Sequence, residues 1–131
     1  MLEGMEEHEA GAALIVRQGE NLAFIPAAHV ARIVQRPAVS AVPAADFGMA
    51  LIGGHVVPTV EVGPDRAVAI WCRRGDDEVA LLGLSVVSIG FYPAEDGRLR
   101  VNGEWVPAFD IEAKLRLLNA RGRLNHGTRT S

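Results

Sequence analysis

The chain of 131 residues holds one cysteine, Cys72. A single thiol excludes an intramolecular disulfide and any zinc site built on several thiolates. Cys72 ends the apolar run AVAIWC, where a free thiol packs as a small, inert hydrophobe. Aromatic residues make up only 5% of the chain, so the core has to be mostly aliphatic. No apolar run approaches the ~20 residues that cross a bilayer as a helix. The net charge of −3 gives no electrostatic attraction for nucleic acid or an anionic membrane. The acidic start, MLEGMEEHEA, lacks the basic-then-apolar order of a signal peptide, so a cytoplasmic protein is expected.

Sequence signatures of catalysis are missing as well. His8, His29, His55 and His126 form neither H-x-x-x-H nor H-E-x-x-H, so no metal site is expected. Ser85 lies in G-L-S-V-V, which lacks the second glycine of a nucleophile elbow. No glycine-rich phosphate loop occurs. Asp76, Asp77 and Glu78 read as a solvated hairpin tip, with a cation site the lesser alternative. Trp71 and Trp105 read as core or subunit-contact anchors rather than a ligand cage. No catalytic residue and no cofactor are therefore expected.

What the chain does have is aliphatic bulk: apolar residues are 49% against 22% charged, enough for one well-filled domain. The pattern predicts a flexible leader at 1–11, a folded body at 12–120 and a flexible tail at 121–131. The three arginines of the tail read as solvated charge rather than a nucleic-acid arm.

Ala13–Val16 and Leu22–Ile25 flank a glycine turn and predict a hairpin. A helical turn is expected at Ala27–His29, leading into a strand. Leu51-Ile52 and His55-Val56-Val57 flank Gly53-Gly54, where glycine supplies the positive φ of a tight turn. Pro58 cannot donate to a ladder and is expected at an edge or bulge. Arg66–Cys72 predicts a strand, and Arg73–Glu78 a charged hairpin tip. Val79–Ile89 is one long apolar run that Gly83 and Ser85 interrupt as bulges or bends. Asn102-Gly103 marks a further hairpin. From Asp110 the period changes: Ile111, Leu115 and Leu118 fall at helical spacing, with Asp110 as N-cap and Gly122 as stop. About nine short strands and a closing helix argue a barrel or sandwich. Several strands lack clean alternation. They are either buried on both faces or leave apolar surface for a protein partner.

Residues 43–62, PAADFGMALIGGHVVPTVEV, join these features to a known pattern. With Ala80-Leu81-Leu82-Gly83-Leu84 and the closing Phe109-Asp110-Ile111-Glu112-Ala113-Lys114-Leu115, the body resembles a CheW-like domain. The resemblance implies a mainly β fold: two intertwined five-stranded SH3-like barrels with a hydrophobic core between them and a C-terminal helix. It implies a non-enzymatic chemotaxis adaptor, linking chemoreceptor cytoplasmic tips to a CheA-type histidine kinase. It places Val30, Arg32, Gly53 and Gly54 on or near the partner-binding side, by position. The family's Asn and Arg of N-L-R-G are Leu51 and Gly53 here, its later Asp is Leu84, and an acidic position is Arg32. These departures keep open a CheW-fold assembly module that has lost receptor coupling. A small β-barrel ligand binder or enzyme is the third reading.

Overall fold

The computed structural model describes residues 11–43 and 45–118. The expected leader, apart from Gly11, and the expected tail lie outside the described residues, as does the stop at Gly122. Among the described residues twelve strands run in order: β1 (Gly11–Gln18), β2 (Asn21–Pro26), β3 (Val30–Gln35), β4 (Ser40–Ala41), β5 (Gly48–Ile52), β6 (His55–Glu61), β7 (Val68–Arg74), β8 (Asp77–Leu82), β9 (Ser85–Tyr92), β10 (Ala94–Glu95), β11 (Arg98–Val101) and β12 (Glu104–Pro107). A 3-10 turn, Ala27–His29, leads into β3 as expected. Helix α1 covers residues 111–118.

The ladders divide the strands into two halves. The first half takes the three-stranded sheets β2-β1-β9 and β10-β11-β12. A parallel bridge from Phe24 to Ala108, with Phe109 N–H donating to the Phe24 carbonyl at 2.8 Å, joins β2 to the end of β12. The second half is the six-stranded sheet β3-β7-β8-β6-β5-β4, antiparallel except for β6 against β8. Setting aside the two-residue strands β4 and β10, each half has five strands. The second half is inserted between β2 and β9 of the first. The molecule is mainly β, and this count is compatible with the expected pair of five-stranded barrels.

Three clusters of buried side chains explain the missing alternation. Leu14, Val16 and Ile25 from the first half meet Val60, Ile70 and Leu81 from the second in a central cluster, which Ile111, Leu115 and Leu118 of α1 close. Ala13, Ile15, Leu99, Val101 and Val106 fill the first half. Ala50, Ile52, Val57, Trp71 and Ala80 fill the second. Strands β1, β7 and β8 thus send successive side chains into different cores. Each fully buried Leu or Ile contributes roughly 1.5–3 kcal/mol, so doubly buried strands are where most of the stability lies. Cys72 is among the central residues and fully buried. Burial pushes its thiol up to about 12, which keeps it protonated and unreactive at neutral pH.

Helix α1 starts as its sequence requires: the Asp110 carboxylate accepts from the Ala113 N–H at 3.0 Å. Arg74 at the β7–β8 tip reaches Glu112 of the helix at 3.2 Å. Arg36, just past β3, makes a two-pronged hydrogen bond to Glu61 of β6 at 2.7 and 3.0 Å, which holds that carboxyl below its ordinary range.

One expectation changes and one holds locally. The run Val79–Ile89 is not one interrupted strand. Gly83, at φ +102°, ends β8 in the second half and lets the chain cross to β9 in the first. Pro58 takes a local edge of β6, as expected, where β5 flanks one side and, among the described residues, no strand yet pairs with the other. It faces Met49 of β5, and β6 pairs with β8 only from Thr59 onward, so its missing N–H removes no bond of that ladder.

Candidate protein interface

The β5–β6 hairpin turns on Gly53 (φ +57°) and Gly54 (φ +85°), both left-handed, as a two-residue type I′ turn demands. That turn fixes the register: Ile52 faces His55, Leu51 faces Val56 and Ala50 faces Val57. Ala50, Ile52 and Val57 point into the second half. Leu51 and Val56 point out as an apolar pair, 66% and 61% exposed.

The inward face ends in a polar rim around Trp71. The indole N–H donates to Glu78 Oε1 at 3.0 Å. The Arg73 guanidinium lies 5.2 Å from the indole centroid and 3.8 Å from the same Glu78 oxygen. The His55 ring tilts against Trp71 with centroids 5.7 Å apart. Arg32 stands directly opposite Trp71 in the β3–β7 register. Its Nη1 reaches the glycine turn, 2.8 Å from where a Cβ on Gly53 would be.

The structure therefore brings Arg32, Gly53 and Gly54 to one rim, although 21 positions separate the first two in sequence. It does not bring Val30 there: that side chain is partly buried and packs on the central cluster. Sequence reasoning did not single out the outward Leu51–Val56 pair or the Glu78–Trp71–Arg73 stack. The I′ turn implied that Leu51 and Val56 face each other, but which side the core would cover was not readable. Of the acidic cluster, Glu78 is engaged by Trp71 and Arg73, and no group of three metal-ligating side chains forms among the described residues.

Ser88, the serine of β9 beside Tyr92, shares a 2.7 Å hydrogen bond with that hydroxyl. Both line an open depression of about 510 Å³ with Ile15, Leu22 and Val101 around them. Among the described residues no helix is long and apolar enough to cross a membrane.

No protein-family model matches the chain, and no curated protein matches it in sequence. Among solved structures it is similar to the scaffolding protein TtCheW from Thermoanaerobacter tengcongensis. The TM-score is 0.62 at 11% identity, over 73% of this chain and 86% of that one. The chain has a CheW-like fold.

Proposed function

We propose that this protein is a non-enzymatic, cytoplasmic CheW-like adaptor that holds a chemoreceptor tip and a CheA-type histidine kinase together. The observation that carries the reading is the Leu51–Val56 pair. Two large apolar side chains stand in solvent beside a rim of Arg32, Gly53 and Gly54, on a fold shared with a scaffolding protein. Exposed aliphatic side chains next to an arginine on a rigid hairpin suit the buried centre of a protein contact. A coupler needs no chemistry. Holding two partners on one rigid body raises the effective concentration of each toward the other.

The test is binding of purified chain to a receptor signalling tip and, separately, to the kinase regulatory domain, with Leu51→Glu and Val56→Asp as probes. Both positions are exposed, so melting temperature is expected to hold while affinity for one partner drops at least tenfold. Unchanged affinity in both variants would remove this surface from the interface.

The second reading, an assembly module without receptor coupling, is favoured by Leu51 and Gly53 standing where the family carries Asn and Arg. A chain that binds neither receptor nor kinase, yet captures another signalling protein through Leu51 and Val56, establishes that reading instead.

A further inference from the structure

Two arginines share one indole on the β11–β12 hairpin. Strand β11 alternates: Leu99 and Val101 turn into the first half, while Arg98 and Arg100 turn out. Trp105 faces Arg100 across the β11–β12 ladder. The Arg98 guanidinium carbon lies 4.9 Å from the Trp105 ring centroid, and that of Arg100 5.1 Å. Stacking uses the flat face of a guanidinium and leaves its in-plane N–H donors free along the edge. Among the described residues no carboxylate pairs with either arginine, although Glu95 stands opposite Arg98 in the β10–β11 ladder. Like charges held against one ring repel each other, and an anion settling between them relieves that repulsion.

The chain carries such an anion close by. Residues 1–10, MLEGMEEHEA, hold Glu3, Glu6, Glu7 and Glu9 and no lysine or arginine. They join the fold at Gly11, which faces Tyr92 in the β1–β9 ladder. The next carbonyl along, that of Pro93, accepts the Arg100 N–H at 2.9 Å. Two strand spacings and one residue step thus separate Gly11 from Arg100, roughly 13 Å. Glu7 and Glu6, four and five residues before Gly11, reach roughly 13–18 Å from it when extended. Arg17, at the other end of β1, lies about 20 Å from Gly11. We infer that Glu6 and Glu7 dock on Arg98 and Arg100, beside Trp105, of the same chain. Each contact is an exposed ion pair, weak alone and screened by salt. The short connection to Gly11 offsets that weakness, because it keeps the local carboxylate concentration on the order of millimolar. Docked, the acidic segment covers the cationic face of β11–β12, and an acidic segment of any partner has to displace it. The contact involves neither Leu51, Val56 nor the Arg32 rim, so it stands apart from the adaptor reading.

The test is paramagnetic broadening in the full chain. Met5→Cys carries a nitroxide, and Cys72 does not compete for the label, being buried. At about 0.01 M salt, where charges act over about 30 Å, the Trp105 indole N–H signal is expected to lose more than half its intensity. The Arg98 and Arg100 amides are expected to fade with it, while Gly75 at the β7–β8 tip keeps its signal. At about 1 M salt, where that range shrinks to about 3 Å, the Trp105 signal is expected to return. Glu6→Gln with Glu7→Gln is expected to abolish the broadening, as is Arg98→Gln with Arg100→Gln. The glutamate pair leaves the β11–β12 hairpin untouched, so it decides the matter even where the arginine pair folds poorly. An unaffected Trp105, or broadening that survives either salt or the glutamate substitutions, would overturn the inference. So would broadening in a mixture of labelled chains with unlabelled, isotope-enriched ones, which would mean that the segment reaches another copy instead.

Discussion

Gly83→Ala is expected to cost about 3–5 kcal/mol, among the largest effects of a single methyl group. Two penalties add at this position. The residue sits at φ +102°, a conformation that a side chain strains. A Cβ there would also lie 2.6 Å from the carbonyl carbon of Gly63. That contact cannot relax cheaply, because the neighbour is backbone and is tied on both sides. Val62 N–H donates to the Leu82 carbonyl at 2.7 Å, and Asp65 N–H to the Gly83 carbonyl at 3.0 Å. Against a total stability of roughly 5–15 kcal/mol, the substitution removes much of the margin. Urea unfolding checks it, with Gly54→Ala as the control. Gly54 has φ +85° but open space around its Cβ position, so its loss is expected near 1 kcal/mol. Equal losses at the two sites would show that the Gly63–Gly83 approach does not constrain the fold.

Leu81→Ala is expected to cost about 2–5 kcal/mol. Leu81 is fully buried and faces Val60 on β6 and Ile70 on β7, both members of the central cluster. Truncation leaves a cavity between strands that are fixed on both sides by ladders, so little collapse can fill it. Leu51→Ala is the contrasting case: at 66% exposure its effect on stability is expected within about 0.5 kcal/mol. Denaturant midpoints at unchanged slope measure both. A Leu51→Ala loss as large as that of Leu81→Ala would mean the hairpin tip is part of the core rather than available surface.

Local chemistry made much of the fold legible. Gly53-Gly54 and Asn102-Gly103 take the left-handed turns their residues announce, and Asp110 caps the helix. Ile111, Leu115 and Leu118 are buried while Leu117 is 41% exposed, as the helical period requires. Long apolar runs were less informative. Val79–Ile89 reads as one apolar run with interruptions at Gly83 and Ser85, yet its first part is buried on two faces and its last residue stands in solvent. Periodicity reports alternation, not which side another layer covers. The candidate site was legible only in part for the same reason. Arg32 and Gly53 were named by position, but their meeting depends on the β3–β7 register and the hairpin's placement over it. Val30 was named with them and turns instead toward the central cluster.

The insertion of one half within the other also sets an order of assembly. Strands β3 to β8 are contiguous in sequence, so all their pairings close shorter loops than a pairing across the whole stretch does. The β1–β9 ladder instead joins segments on either side of that whole stretch. The cost of closing a loop grows with its length, and it falls once the intervening chain has already condensed. The inserted half is therefore expected to form first and act as the clasp that brings β1 and β9 into register. Mutational φ-values should then be high in the β7–β8 hairpin and near zero in β11–β12. The reverse pattern would mean that the outer half nucleates on its own and the inserted half is threaded in afterwards.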